Sequence, residues 1–116
     1  MSFGEQLIAW RRELHQNPEL SGQEVETTAR LRQWLTNAGI TPLPYELPTG
    51  LVAEIGTGKK LIALRADIDA LPVEERSGVA FSSQRVVVMH ACRHDIHTSV
   101  ILGAALKLKE REASLN

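Results

Sequence analysis

The densest reactive chemistry in the 116-residue sequence lies in Met89-His90-Ala91-Cys92-Arg93-His94-Asp95-Ile96-His97, where one thiol, three imidazoles and one carboxylate fall within eight residues. Thiolate and imidazole are good ligands for zinc and related divalent ions. A Cys-x-His spacing between a strand and a helix lets Cys92 and His94 point at one ion. Two other readings fit the same residues. One has Cys92 as a small buried hydrophobe, with the histidines capping or lining the following helix. The other makes Cys92 a nucleophile whose thiol pKa is depressed by His94 or His90; no second cysteine or base-orienting pattern supports it. A second segment, Arg65-Ala66-Asp67-Ile68-Asp69-Ala70-Leu71-Pro72, sets two carboxylates two residues apart just after an apolar run. At the carboxyl end of a sheet strand such groups line a crevice, but aspartate is equally favoured in turns and caps, so both readings stay open.

These residues need elements to position them. Phe3, Leu7, Trp10 and Leu14 recur at helical spacing, which predicts a helix over residues 3–16, ended by Asn17-Pro18. Ser21 followed by Glu24 reads as a capping box for a second helix through Val25, Ala29, Leu31, Trp34, Leu35 and Ala38, closed by Gly39. Prolines in residues 41–48 predict an extended connection. Short apolar runs at residues 51–55 and 61–65 flank Gly56-Thr57-Gly58-Lys59 and read as a β-hairpin. The run 61–64 has no polar alternation, which places it inside a sheet with both faces covered. Residues 86–89 make a further short strand. From Ile96 to Glu110, Val100, Ile101, Ala104, Ala105 and Leu108 form one helical stripe, with Leu102 and Leu106 on the opposite side.

Composition bounds the rest. A chain of 116 residues with 43% hydrophobic content suits one domain. Thirteen basic and fourteen acidic residues give a net charge of -1 and no basic patch, so nucleic acid is not expected as a partner. No run approaches the roughly 20 apolar residues of a membrane span, and residues 1–10 lack the pattern of a signal peptide. The expectation is a soluble, cytoplasmic protein without a membrane partner.

Three segments in order resemble the M20 metallopeptidases, in the amidohydrolase branch that includes hippurate hydrolases and auxin-conjugate hydrolases. They are Arg11-Arg12-Glu13-Leu14-His15-Gln16-Asn17-Pro18-Glu19-Leu20, Leu64 to Pro72, and Met89 to Thr98. The resemblance implies an α/β fold, here a partial three-layer α/β/α zinc-peptidase-like catalytic domain spanning residues 1–116, without the lid domain that mediates dimerisation. It also implies a site of two divalent ions (manganese, zinc, nickel or cobalt), with Cys92 contacting the metals and His94 a further ligand. Asp67 matches a buried aspartate that orients a ligand or backbone group. His90, Asp95 and His97 are implied as supporting residues, and His15 as a packing or hydrogen-bonding residue of the first helix. The implied reaction is cleavage of the amide bond of N-acyl amino acids by metal-activated water.

Two departures from the family pattern bear on activity. Arg93 stands where the family has glycine, which adds strain if that position uses positive φ and puts a cation beside the metals. The family's adjacent glutamates, one of them the general base, and its later histidine ligands lie beyond Asn116. The alternative expectation is therefore a catalytically inert fragment that self-associates as a homo-oligomer, through an open sheet edge or through Leu102 and Leu106 of the third helix.

Overall fold

The computed structural model describes residues 2–115. Three helices, α1 (Phe3–Gln16), α2 (Val25–Asn37) and α3 (His94–Glu110), and a 3-10 turn (Glu112–Ser114) make up its regular structure. Helix α1 begins at Ser2, whose hydroxyl accepts from Glu5 N at 3.2 Å. It stops at Asn17, whose side chain bonds back to Glu13 O at 2.8 Å, and Pro18 cannot continue the ladder. Helix α2 ends as expected at Gly39, with φ +81°. Gly39 N donates to Thr36 O and Ile40 N to Leu35 O, satisfying carbonyls that the helix leaves free. Ile40 and Leu35 are then both buried.

The start of α2 differs from expectation. Glu24 is the N-cap, and no side chain of the predicted Ser21–Glu24 capping box makes a cap bond. Glu19 takes that role from outside the helix, its carboxylate accepting from Thr27 N at 2.6 Å and Glu26 N at 3.3 Å. Two free helix N–H groups and the positive end of the helix dipole favour an anion there.

The core is built by Trp10, Leu31, Leu35, Ile40 and Leu102, with Trp10 and Trp34 stacked at 5.1 Å. Helix α3 turns differently from the predicted stripe: Leu102 enters the core, whereas Val100 and Leu108 are exposed. The anchor is the face set by Asp95, Thr98, Ser99 and Leu102, all buried and all on neighbouring turns of one side of the helix. Polar members make this stripe invisible to a hydrophobic pattern. Leu102 is thus no exposed self-association surface.

No hairpin of paired strands is present among the described residues. Residues 51–55 run extended, with Leu51, Ala53 and Ile55 packed against the helix core while Val52 faces out. Their one pairing to the preceding segment is Leu43 N to Val52 O at 2.7 Å. The run 61–64, expected inside a sheet, has Leu61 at 79% and Ile62 at 92% exposure. A two-stranded hairpin is marginal unless a further strand or a packed face supports it, and nothing among the described residues covers 61–64. The helices therefore cover only one face of an extended layer, and the expected three layers are not completed here.

Among the described residues, the two isolated strand-like bridges lie where they carry the reactive segments. Ala70 pairs in parallel with Leu20, and Leu71 in antiparallel with Met89, the latter through N–H to O bonds of 2.9 Å in both directions. Residues 67–72 are thereby held between the α1–α2 connection and the segment that leads into α3.

The close approach of α1 and α3 depends on Gly103. A Cβ there would meet Leu7 Cδ1 at 2.9 Å and Phe3 Cζ at 3.3 Å, both outer atoms of side chains. Gly103→Ala is expected to be near neutral, because alanine gains about 1 kcal/mol of helix propensity and the leucine tip can give way. Gly103→Val is expected to lose about 1–3 kcal/mol by overpacking. Urea unfolding of both variants checks the contrast; equal effects would contradict the packing described.

Candidate metal centre

Helix α3 starts at His94, two residues earlier than the hydrophobic pattern indicates, so His94 and Asp95 occupy its first turn. The backbone reaches this turn through Arg93 at φ 64°, the one non-glycine residue with positive φ among those described. Arg93 is the N-cap but offers no side-chain cap bond.

The His94 ring is oriented from behind. Its Nδ1 lies 2.9 Å from Asp69 Oδ1 and 3.0 Å from Asp69 O. Both are acceptors, so Nδ1 carries a proton, and in the neutral ring Nε2 is the nitrogen that holds the lone pair. That nitrogen lies 4.0 Å from Asp67 Oδ2, too far for a hydrogen bond. Asp67 is exposed, not buried as expected, and its carboxylate pairs with Arg65. Its backbone carbonyl accepts from Thr98 Oγ1 at 3.0 Å, which joins the loop to α3. Asp69, rather than Asp67, is the aspartate bonded to the His94 ring. The sequence pattern singles out both aspartates without giving Asp69 that role; its two-residue offset from Asp67 in a strand-end loop is the available signal.

Cys92 is a free, exposed thiol, which overturns the buried-cysteine reading. It has no imidazole partner among the described residues: His94 Nδ1 is engaged by Asp69, and His90 bonds to nothing. His97 is exposed with its ring 6.0 Å from that of His94.

Behind this surface lies a buried polar cluster. Asp95, 1% exposed, accepts on Oδ2 from Arg11 Nε and lies equally close, 2.8 Å, to His15 Nδ1. His15 Nε2 in turn lies 2.8 Å from Glu75 Oε2. The hydrogen-bonding role expected of His15 is what the structure contains, and Arg11, which opens the same family-like segment, stands beside it; Glu75 carries no sequence signal beyond its charge. Burial opposes ionisation of Glu75, but hydrogen bonds from Ser77, His15 and the Ser83 backbone outweigh it and hold the carboxyl at about 2. His90, 5% exposed and without a partner for either ring nitrogen, is pushed down from 6.5 to about 4 by burial, against the pull of Asp95.

The model of Peptidase family M20/M25/M40 matches residues 63–116. An N-acetyl-L-cysteine deacetylase of Bacillus subtilis is 52% identical over 112 residues, covering 95% of this chain and 27% of that protein. An IAA-amino acid hydrolase of Arabidopsis thaliana is 40% identical over 97% of this chain and 26% of its own length. The crystal structure of a Bacillus subtilis dinuclear metal binding peptidase from the M20 family is 49% identical and superposes with a TM-score of 0.93, over 97% of this chain and 33% of that one. Residues 63–116 thus carry a match to the M20 peptidase family, and nearly the whole chain is similar to a solved member of it. It spans about a third or less of the length of these relatives.

Divalent-metal use by M20 proteins can be set against the donors present here. They fit in kind: a lone pair on His94 Nε2 with its other nitrogen tied to a carboxylate, an exposed thiol two residues before it, and the Asp67 carboxylate 4.0 Å away. They do not make a full cage, since among the described residues no three His, Cys, Asp or Glu side chains converge on one point.

Two outcomes follow. Left-handed backbone costs a non-glycine residue about 1–2 kcal/mol, against about 0.5–1 kcal/mol of extra entropy lost by glycine. Arg93→Gly should therefore raise the melting temperature by a few degrees, whereas Arg93→Ala, which removes the charge but keeps the strained Cβ, should not. An equal gain from alanine would assign the effect to charge. In metal-free protein, His90 and Glu75 both bind fewer protons folded than unfolded, so stability is full at neutral pH. It should fall as pH drops from 6.5 to about 4 through His90, and again from 4.5 to about 2 through Glu75. A melting temperature flat between pH 7 and 4, or unchanged in its slope by His90→Gln, would contradict this.

Proposed function

We propose that this chain contributes Cys92 and His94 to the divalent-metal centre of an amidohydrolase acting on small N-acyl amino acids, and that residues 1–116 are the amino-terminal part of its catalytic domain. The observation that carries this is the state of His94: Nδ1 is tied down by Asp69, Nε2 is free, and an exposed thiol stands two residues before it. A histidine used only for packing has no need of that arrangement at a surface. The deacetylase and hydrolase relatives support amide substrates.

In this reading Asp69 fixes the tautomer and aim of His94, and Asp67 faces the same space from the neighbouring loop. A divalent ion, when bound, supplies electrophilic polarisation of an amide carbonyl. No carboxylate among the described residues converges with Cys92 and His94 to act as general base, a contribution of about 10²–10⁴-fold. The purified 116-residue polypeptide is therefore expected to bind one Co²⁺ weakly, with thiolate absorption bands, and to hydrolyse N-acetyl amino acids undetectably. Binding unaltered by the Cys92→Ser, His94→Ala pair would sink the metal assignment, and metal-dependent turnover would sink the inert reading of this length of chain.

A second reading, self-association, rests on the uncovered apolar run. Leu61, Ile62 and Leu64 are exposed, as are Val86 and Val87. Burying one such side chain is worth about 1.5–3 kcal/mol, enough in aggregate to offset the entropy of pairing. Sedimentation equilibrium is expected to give a dimer or larger species, which Ile62→Lys with Val86→Lys returns to monomer. A wild-type monomer at every concentration would contradict it.

A further inference from the structure

His94 has two requirements if it is to meet an ion: its ring must be turned correctly, and its Cα must be held in place. Asp69 answers the first. Nothing at the helix end itself answers the second, because the chain enters α3 through the left-handed Arg93, which provides no cap bond. The adjacent residue supplies the hold. Asp95 Oδ2 is gripped by Arg11 and His15 of α1, both at 2.8 Å, and Ser99 Oγ bonds Asp95 O at 2.9 Å. His15 is braced on its far side by Glu75, whose other oxygen accepts from Ser83 N at 2.7 Å. Helix α1, the loop around Glu75 and the start of α3 thus meet in one hydrogen-bonded row that ends one residue from His94.

We propose that Arg11, His15 and Glu75 are positioning residues for His94, acting through Asp95 to set where its imidazole stands. This rests on the reading of His94 as a metal ligand and adds what aims it. The arrangement is more than a helix–helix contact. Leu7, Trp10 and Leu102 already pack these helices together, whereas the polar row is placed at the one turn that carries His94. Both nitrogens of His15 face carboxylate oxygens, so the ring cannot rotate without breaking a bond.

The test uses the whole chain, first without metal. Imidazole ¹⁵N NMR reports the His94 Nδ1–H bonded to Asp69, assigned by its loss in His94→Gln. In Asp95→Asn and His15→Gln, with helical circular dichroism retained, that signal is expected to shift and to exchange faster with water. Co²⁺ affinity should fall by about 10–100-fold while the thiolate band persists. A purely structural role would lower the melting temperature and leave both readouts unchanged below it; that result in the folded variants overturns the proposal. Glu75→Gln, which keeps the shape of the side chain, provides the same comparison if the other two fail to fold. If the signal moves as expected but wild-type Co²⁺ binding matches that of the Cys92→Ser, His94→Ala variant, positioning stands and the metal reading fails.

Discussion

A single carboxylate, that of Asp95, decides how this chain is put together at its reactive end. Buried as it is, it needs partners, and it finds them in Arg11 and His15 across the gap between α1 and α3. An isolated buried charge is prohibitive, and removing one partner of such a pair costs about 3–5 kcal/mol. That is a large share of the about 5–15 kcal/mol that stabilises an ordinary domain. The face of α3 that turns inward therefore follows from Asp95: once it points at α1, Thr98, Ser99 and Leu102 must follow it into the interior. Hydrophobic burial closes the contact, through Trp10, Leu102 and the approach permitted at Gly103, but does not choose the face.

The rest of the site is arranged around that choice. Residues 67–72 are carried to α3 by two short pairings, Leu20 with Ala70 and Leu71 with Met89. Asp69 then meets His94, and the carbonyl of Asp67 meets Thr98. All three segments that resemble the M20 family have a distinct physical role here. The first supplies Arg11 and His15, the second orients the histidine, and the third holds the donors. Arg93 is where two demands conflict, since the turn into α3 requires a left-handed residue and the sequence places a bulky cation there.

Much of this is legible in the sequence, and the gaps have physical causes. Residues 3–16 are marked by apolar spacing and the Asn17-Pro18 stop, and Gly39 by the need for positive φ. The Cys92–His94 spacing and the M20 resemblance can be read directly. The inward face of α3 cannot, because its buried stripe is polar, held by Asp95 and its partners rather than by leucines. The cap of α2 is hidden because Glu19, five residues before the N-cap, reaches in across a turn. Asp67 and Asp69 cannot be told apart without knowing which one the bridge at Ala70 turns toward His94. Residues 51–65 have strand-like composition, yet a strand needs a neighbour, and none pairs with 61–64 among the described residues.

Amide hydrogen exchange across the whole chain tests most directly the claim that Asp95 makes α1 and the start of α3 one unit. Residues 10–16 and 97–103 are expected to share the slowest exchange and to open together with a common free energy, while residues 61–64 and 86–88 exchange near the rate of an unstructured peptide. Helix α1 retaining protection after α3 has exchanged, or a protected ladder across 51–65, would contradict the account.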